Sequence, residues 1–177
     1  IRDHKKMEEI IKKYKPDCVF HTAALKHITF VEDEPMEALK TNFLATVKLC
    51  QICKILKIKK MVFISTDKAV NPTNIMGASK RLTEKYIQNI ANESKDTIFT
   101  IVRFGNVLGS TGSVVPLFEK QISEGGPVTI THPKIKRFFM TIREAVELVI
   151  ISSQLDVEDN GEIFILEMGE SIFIKDL

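Results

Sequence analysis

A short polar segment, Ser65-Thr66-Asp67-Lys68, follows an apolar run that predicts a β-strand over Met61–Ser65. A carboxylate beside an amine can supply both an acid and a base to one substrate, provided that their surroundings favour the neutral forms. The same two residues could instead form an ordinary ion pair in a surface turn. Asn71-Pro72 then predicts a polar loop, which places the segment between a strand and a loop.

A helix is predicted to follow this loop and to present two further side chains. Asn74 is a suitable N-cap, and the predicted helix continues to about Glu93. Met76 and Lys80 lie four residues apart and therefore share one face of that helix. In α/β enzymes the catalytic groups gather at the carboxyl ends of the strands, which is where this strand, loop and helix would place them.

The rest of the chain alternates between predicted helices and strands. In chain order these elements are a helix after the N-cap Asp3, a strand at Cys18–His21, a connecting loop over 25–34, a helix from Pro35 to about Leu56, a strand at Thr97–Arg103, a glycine-rich loop over 104–113, a helix from Val114 to about Glu124, a strand at Val128–Thr131, a helix behind the capping box of Thr141 and Glu144, and a strand over 162–167. Continuously apolar strands joined through helices are typical of a parallel sheet covered on both faces. The order predicts an α/β fold: the C-terminal half of a doubly wound Rossmann-type parallel sheet, plus part of a small substrate-binding region.

One part of such a fold is absent from this stretch of sequence. No Gly-rich turn lies between a strand and a helix near the start, so the N-terminal cofactor half is predicted to be missing. The chain opens at Ile1 without Met and stops at Leu177 within a segment, so we expect a fragment of a longer protein. Residues 1–110 are predicted to form a partial Rossmann domain. Residues 111–177 are predicted to be mostly a substrate-binding region with interleaved Rossmann elements, all in a single compact unit.

Composition narrows the classes of protein to which the chain could belong. Hydrophobic residues make up 44% and charged residues 27%, with a net charge of +2, as in ordinary soluble globular proteins. The basic cluster of Lys57, Lys59 and Lys60 fits a solvated helix end better than a nucleic-acid surface. No transmembrane run or signal peptide is visible, and three cysteines indicate a reducing compartment, so we expect a cytoplasmic protein. Cys50 and Cys53 are interpreted as core packing.

Six motifs occur in order along the chain: Phe20–His27 (FHTAALKH), Lys40–Asn42 (KTN), Ile64–Pro72 (ISTDKAVNP), Met76–Lys80 (MGASK), Val102–Gly109 (VRFGNVLG) and Arg137–Thr141 (RFFMT). Together they resemble the extended short-chain dehydrogenase/reductase superfamily. More narrowly, they resemble the CapD-like UDP-N-acetylglucosamine 4,6-dehydratases of polysaccharide and glycan biosynthesis. The resemblance covers essentially the whole chain and implies that residues 1–110 are part of an NAD(P)-binding domain.

The chain departs from the superfamily pattern at one position. The usual pattern is Tyr-x-x-x-Lys, whereas here Met76 precedes Lys80, and methionine has no exchangeable proton. The site is therefore either inactive or that of the Met-bearing branch of the dehydratases, typified by large membrane-anchored members. The intact Thr66, Asp67 and Lys68 favour the second interpretation.

The resemblance implies a lyase that acts on UDP-N-acetylglucosamine with bound NAD or NADP. The C4 hydroxyl is oxidised, water is lost across C5 and C6, and hydride returns to C6 to give a UDP-4-keto-6-deoxy sugar. Thr66 would polarise the C4 oxygen in place of the missing Tyr. Lys68 would be the base at C5 if desolvation favours its neutral form, and a protonated Asp67 would protonate the departing C6 hydroxyl. Lys80 would bond the nicotinamide ribose and lower nearby pKa values.

The remaining binding roles are also implied by the resemblance. The cofactor-binding residues would be Ala23, Ala24, Ser65, Lys80, Phe104 and Gly105. The substrate-binding residues would be His27, Asn106, Ser113 and Arg137. Arg137 suits the diphosphate through its planar fork, whereas His27 could equally be a structural histidine. Asn42 is expected to be structural support, and no metal site is predicted.

Two other functions remain open from the sequence. A nucleotide-sugar 4-epimerase shares the fold, but it needs no base at C5 and normally keeps the Tyr. A non-enzymatic nucleotide-binding remnant would fit the missing cofactor half and Met76. The expected partner is a UDP sugar and not nucleic acid. We expect a homo-oligomer whose full-length form could be anchored to the cytoplasmic face of the inner membrane through an N-terminal region outside this chain.

Overall fold

The computed structural model describes residues 1–110 and 113–177. In chain order, these residues form α1 (His4–Tyr14), β1 (Cys18–His21), α2 (Ile28–Asp33), α3 (Pro35–Ala38), a π-helical segment (Leu39–Leu44), α4 (Ala45–Ile55), β2 (Lys60–Thr66), a 3₁₀ turn (Asp67–Ala69), α5 (Ile75–Asn92), β3 (Ile98–Phe104), β4 (Asn106–Val107), α6 (Val114–Ser123), β5 (Lys136–Arg137), β6 (Phe139–Met140), α7 (Ile142–Gln154), β7 (Ile163–Ile165), β8 (Ile172–Phe173) and a final 3₁₀ turn (Ile174–Asp176). The glycine-rich loop predicted over 104–113 includes Thr111 and Gly112, which lie outside the described residues.

The main sheet has the strand order β1-β2-β3-β7. β1 pairs with β2 in parallel, with His21 opposite Phe63, and β3 pairs with β7 in parallel, with Ile101 opposite Ile163. Phe63 and Ile101 are buried in the hydrophobic core between sheet and helices, which also includes Ile87. The predicted α/β class and parallel sheet are therefore confirmed.

The chain divides into two compact units. The first unit contains Ile1–Arg103 and Ser152–Ile165, and the second contains Phe104–Ile151 and Leu166–Leu177. This differs from the expected division at residue 110 and from the expectation of a single compact unit. The chain returns to the first unit because β7 pairs with β3 and because Asn160 binds its backbone. The Asn160 amide accepts from Phe99 N at 2.7 Å and donates to Thr97 O at 2.9 Å.

Several helix ends follow from local sequence signals. The Asp3 carboxylate accepts from Lys6 N at 2.9 Å, and the Asn74 side chain accepts from Gly77 N at 2.8 Å, as N-caps do. The predicted capping box also forms, because Glu144 N donates to the Thr141 hydroxyl and the Glu144 carboxylate accepts from Thr141 N. These three predictions are confirmed.

Three predictions of secondary structure are wrong in part or in whole. The connecting loop predicted over 25–34 contains α2, whose Val31 is fully buried in a cluster with Ala38 and Met76. The helix predicted from Pro35 to Leu56 is interrupted by the π-helical segment. No strand forms over 128–131, because the Gln121 side chain accepts from Thr129 N at 3.0 Å and so replaces a strand partner.

The cysteine pair within α4 belongs to the core, as predicted. Cys50 and Cys53 are fully buried free thiols, and the Cys50 thiol lies 3.8 Å from the Met61 sulfur. Burial raises the pKa of Cys53 to about 12, so this thiol stays protonated at neutral pH. The lysines at the end of α4 have partners as well: Lys57 pairs with Asp96 at 3.1 Å and Lys59 with Asp17 at 2.8 Å. Within the described residues, no helix combines the length and the apolar character that crossing a membrane requires.

Candidate active site

The end of β2 turns directly into the predicted catalytic segment. Thr66 ends the strand, and its hydroxyl oxygen accepts from Lys68 N at 3.3 Å. This bond caps the 3₁₀ turn of Asp67–Ala69, so the two charged residues lie at the carboxyl end of the strand. The fold therefore puts Thr66, Asp67 and Lys68 where the sequence predicted them.

The three side chains are joined by hydrogen bonds. The Thr66 hydroxyl donates to Asp67 Oδ1 at 2.9 Å, and Lys68 Nζ lies 2.9 Å from the same oxygen. The side chains of Lys68 and Asp67 are 29% and 43% exposed. The turn thus contains the ion pair that the sequence left open as a structural alternative, and both charged groups are accessible from solvent.

The backbone of Lys68 packs closely against the start of α5. A Cβ at Gly77 would overlap the Lys68 carbonyl oxygen and would lie 3.2 Å from Pro72 Cβ. Only a residue without a side chain allows this approach of loop and helix. Gly77 therefore sets the position of the turn relative to α5.

Met76 and Lys80 share the buried face of α5, as predicted. Met76 packs against Val31 and Ala38, so it lies in an apolar cluster. Lys80 Nζ donates to Ile64 O at 2.7 Å and lies 4.4 Å from the centroid of the Phe63 ring. Burial lowers the pKa of Lys80 to about 8, against a smaller opposing effect of Glu84. Lys80 can therefore exist in either protonation state near neutral pH.

Two predicted residues follow β1, and Asn42 binds the backbone of the next residue, Leu25. Ala23 is exposed and Ala24 half-buried, in a segment without regular secondary structure. The buried Asn42 side chain accepts from Leu25 N at 2.8 Å and donates to Leu25 O at 2.9 Å. It also donates to Ser79 Oγ at 3.1 Å, which ties this segment to α5. Asn42 lies in the π-helical segment, a feature that is frequent at functional sites, and its predicted structural role is confirmed.

His21 is a buried titratable residue that sequence reasoning passed over. Its Nε2 lies 2.7 Å from Thr46 Oγ1, and its ring centroid is 5.5 Å from that of Phe63. Burial, followed by the Lys80 charge, lowers the pKa of His21 to about 4, so the ring is neutral at neutral pH. Little in the sequence points to this residue, because His21 has the position of the last residue of a buried strand. His27, in contrast, is exposed at the start of α2.

Glu84 is the second residue that the sequence reasoning missed. Its fully buried carboxylate accepts from Ser65 Oγ at 2.6 Å and from Arg103 Nε at 2.7 Å. Arg81 Nη1 lies 3.1 Å from the same carboxylate. The signal that could have found it is the spacing Met-x-x-x-Lys-x-x-x-Glu, which places a second charge on the buried face one turn after Lys80.

The other predicted binding residues belong to the second unit. Phe104 and Gly105 are half-buried, and Gly105 N lies 3.4 Å from Met168 Sδ. Asn106 in β4 donates from its side chain to Phe138 O at 3.1 Å, which places it beside the residue that follows Arg137. Arg137 is exposed in β5 and donates to Lys136 O. Ser113 is half-buried at the N-cap position of α6.

No group of three or more His, Cys, Asp or Glu side chains suited to a metal ion occurs within residues 1–110 and 113–177. The groups that could bind a cofactor or substrate are hydroxyls, amides, backbone and the charged side chains described above. They suit the recognition of a polar organic molecule and the transfer of protons.

Sequence comparison assigns the chain to a family. The model of the polysaccharide biosynthesis protein family matches residues 1–177. The chain belongs to this family. It is 47% identical to the capsular polysaccharide biosynthesis protein CapD of Staphylococcus aureus and 49% identical to the probable polysaccharide biosynthesis protein EpsC of Bacillus subtilis, over 177 residues in each case. The resemblance drawn from the six motifs is thereby confirmed.

This family member spans only part of its relatives. It covers 29% of the length of CapD and of EpsC. A UDP-glucose 4-epimerase of Rickettsia bellii is 40% identical over 167 residues, which are 93% of this chain and 48% of that protein. Among solved structures, Pen from Bacillus thuringiensis matches with a TM-score of 0.91 and 40% identity, over 99% of this chain and 53% of that chain. The match is to the C-terminal part of Rossmann-like structures, as predicted.

Proposed function

We propose that the protein to which this chain belongs is a nucleotide-sugar 4,6-dehydratase. It would convert UDP-N-acetylglucosamine to the UDP-4-keto-6-deoxy sugar for polysaccharide or glycan biosynthesis. The observation that carries the proposal is the hydrogen-bonded cluster of Thr66, Asp67 and Lys68 at the end of β2, combined with Met76 in place of the usual Tyr. Membership in the polysaccharide biosynthesis protein family supports the general role of a nucleotide-sugar enzyme.

The cluster offers the groups that dehydration requires. Loss of water from a 4-keto sugar needs a base for the C5 proton and an acid for the C6 hydroxyl, and Lys68 and Asp67 are the candidates. Lys68 Nζ lies 2.9 Å from Asp67 Oδ1, so a proton could be transferred between them along a single hydrogen bond. The Thr66 hydroxyl already donates to Asp67 and would instead donate to the C4 oxygen of a bound sugar.

The residues at the strand ends fit a nicotinamide cofactor. The small, partly exposed Ala23 and Ala24 leave the backbone after β1 open to a ligand, and Ser65 lies near the end of the neighbouring strand β2. A bound NAD or NADP would supply hydride acceptance from C4 and hydride return to C6. Lys80 would hold the nicotinamide ribose, and Phe104 and Gly105 would meet the carboxamide. Asn106, Ser113 and Arg137 would bind the UDP sugar, with His27 at its edge.

A second candidate is a nucleotide-sugar 4-epimerase. The name of the Rickettsia bellii relative, a UDP-glucose 4-epimerase at 40% identity, favours it. An epimerase inverts C4 by oxidation and reduction at one carbon, so it leaves the C5 proton and the C6 hydroxyl in place. It therefore gives no role to the acid and base of Asp67 and Lys68, which is why we rank it second.

The product of the reaction distinguishes the two candidates. The full-length protein would be incubated with UDP-N-acetylglucosamine and NAD or NADP and the mixture followed by proton NMR. Dehydration predicts a new 6-methyl doublet and loss of the C6 hydroxymethyl signals. A product inverted at C4 with its hydroxymethyl group intact would overturn the dehydratase in favour of the epimerase, and no conversion would favour a nucleotide-binding remnant.

We also propose that the full-length protein is a cytoplasmic homo-oligomer held at the membrane by a region outside this chain. The support is the resemblance of the Met76 motif to that of the large membrane-anchored dehydratases. Cell fractionation and the mass of the detergent-solubilised protein would test this. A monomer recovered entirely in the soluble fraction would contradict both parts.

A further inference from the structure

Glu84 is a buried carboxylate that the proposed chemistry leaves without a role. It lies on α5 one turn after Lys80, and its side chain is 0% exposed. Burying an ionised carboxylate is costly unless other groups pair with it and fill its hydrogen-bonding sites. The partners of Glu84 therefore indicate what keeps this residue in the interior.

Both carboxylate oxygens of Glu84 are occupied. Arg103 approaches as a fork, with Nε 2.7 Å from Oε1 and Nη2 2.5 Å from Oε2. Ser65 Oγ donates to Oε1 at 2.6 Å, and Arg81 Nη1 donates to Oε2 at 3.1 Å. Burial alone would raise the pKa of Glu84, but the hydrogen bonds from Arg103, Ser65 and Arg81 hold it below its usual value. Glu84 is therefore ionised at neutral pH.

These contacts join three elements of the first unit. Ser65 lies near the end of β2 and directly precedes Thr66, while Arg103 lies near the end of the neighbouring strand β3. Glu84 itself belongs to the helix that carries Lys80. One carboxylate thus ties α5 to the ends of two adjacent strands, at the point where the candidate catalytic segment begins.

We propose that Glu84 is a positioning residue of the candidate active site. Its carboxylate holds Ser65, and through the backbone the Thr66–Lys68 segment, in register with Lys80 on α5. The inference rests on the proposed function, which gives Lys80 and the segment their roles. It adds a residue that touches neither substrate nor cofactor but fixes the groups that do.

Glu84 also acts on Lys80 through its charge. Its negative charge opposes the effect of burial and keeps the pKa of Lys80 at about 8 rather than lower. Among the described residues, the other groups that interact with Lys80 are neutral at that pH. They are the Phe63 ring and the Ile64 carbonyl on β2, and His21 on β1, whose pKa is about 4. Removing the Glu84 charge should therefore lower the pKa of Lys80.

The test compares Glu84→Gln and Glu84→Asp in the full-length protein, with Glu93→Gln as a matched control. Glu93 follows α5 directly but is 62% exposed and pairs with Lys54 at 3.1 Å. Steady-state kinetics with UDP-N-acetylglucosamine would be measured as a function of pH. Glu84→Gln should lower kcat about 100-fold, as expected for misplaced catalytic groups, with KM changed only a few-fold. The limb of the kcat/KM profile that reports Lys80 should move to lower pH.

The other two variants separate positioning from simple structural support. Glu84→Asp keeps the charge, so it should restore the position of the Lys80 limb, and Glu93→Gln should match the unsubstituted protein. The inference is overturned if Glu84→Gln leaves the Lys80 limb of the kcat/KM profile at the same pH and lowers kcat only in proportion to the folded fraction of the variant.

A double variant covers the case in which Glu84→Gln fails to fold. Glu84→Gln with Arg103→Gln removes the fork and the buried charge opposite it. Arg81 loses its partner but is 37% exposed, so water can solvate its charge. Folding should therefore recover while the low kcat and shifted limb persist. Recovery of the full rate and profile would overturn the inference.

A direct measurement keeps the inference testable without turnover. If the unsubstituted protein shows no activity, the proposed function fails, but the titration of ¹³C-labelled Lys80 by NMR can still be followed. Its pKa should fall in the double variant, and an unchanged value would overturn the electrostatic part of the inference.

Discussion

The Asp67–Lys68 pair joins neighbouring residues at the surface, whereas the Glu84–Arg103 pair joins a helix to a strand in the interior. The side chains of the first pair are 43% and 29% exposed, and those of the second 0% and 11%. An exposed pair contributes little to stability, but its groups can meet a substrate. A buried pair cannot meet a substrate, but removing one member leaves the other as an unpaired charge in the interior. We therefore propose a chemical role for the exposed pair and a supporting role for the buried pair of the same unit.

The largest expected effect on stability comes from the buried pair. Glu84→Ala leaves the Arg103 guanidinium without its carboxylate, which should lower the free energy of unfolding by about 3–5 kcal/mol. Urea unfolding measures the change. The exposed pair of Glu93 and Lys54 provides the control, since Glu93→Gln should cost no more than about 1 kcal/mol. Equal losses in the free energy of unfolding for the two variants would contradict the expectation that the buried pair contributes more to stability than the exposed pair.

A second effect should appear as a dependence of stability on pH. Burial first, then Lys80, lowers the pKa of His21 from 6.5 to about 4. Between these values the unfolded chain binds a proton that the folded chain does not. Stability should therefore fall by about 3 kcal/mol as the pH decreases through this window.

Urea unfolding at several pH values checks this dependence. His21→Gln should reduce it, whereas substitution of the exposed His132 by Gln should leave it unchanged. The same slope in the unsubstituted protein and in His21→Gln would contradict the interpretation that His21 is buried in its neutral form.

Gly77→Ala tests the contact between the candidate catalytic turn, Thr66–Lys68, and α5. A new Cβ would overlap the Lys68 carbonyl oxygen, so we expect a loss of about 1–3 kcal/mol together with reduced turnover. The exposed Ala78 on the same helix offers a control, because Ala78→Ser should cost only about 0.5 kcal/mol. Helix propensity alone would make Gly77→Ala stabilising by about 1 kcal/mol, so a gain in stability would refute the close contact.

The smallest expected effect on stability belongs to the exposed pair. Asp67→Asn and Lys68→Gln should each change the free energy of unfolding by less than about 1 kcal/mol. Turnover should nevertheless fall by about 10²–10⁴-fold, because a general acid or base is lost. The exposed pair Glu8 and Lys12 supplies the comparison, since Lys12→Gln should alter neither quantity. Unchanged turnover would leave Asp67–Lys68 as a surface ion pair only.

Local signals made much of this fold predictable from sequence. The strand Cys18–His21 was predicted at its observed bounds because apolar residues lie between Pro16 and small residues. The Asn74 cap and the turn after β2 also depend on neighbouring residues only. The candidate catalytic segment was therefore placed correctly at a strand end without knowledge of the tertiary structure.

Features that depend on packing between distant segments could not be predicted in this way. α2 forms over a segment with β-branched residues because Val31 is buried against Ala38 and Met76. The Glu84–Arg103 pair joins residues 19 positions apart, and it requires the helix and strand to be placed first. The division of the chain into units likewise depends on the pairing of β7 with β3, which periodicity does not reveal.

Isotope exchange at C5 tests most directly whether Lys68 and Asp67 dehydrate a 4-keto sugar. The full-length protein would convert UDP-N-acetylglucosamine in D₂O, and NMR would measure deuterium at C5 of the product. We predict nearly complete incorporation with the unsubstituted protein and loss of both exchange and 6-methyl product with Lys68→Gln. Unaltered exchange in Lys68→Gln, or a C4-inverted product that retains its C5 proton, would contradict the account.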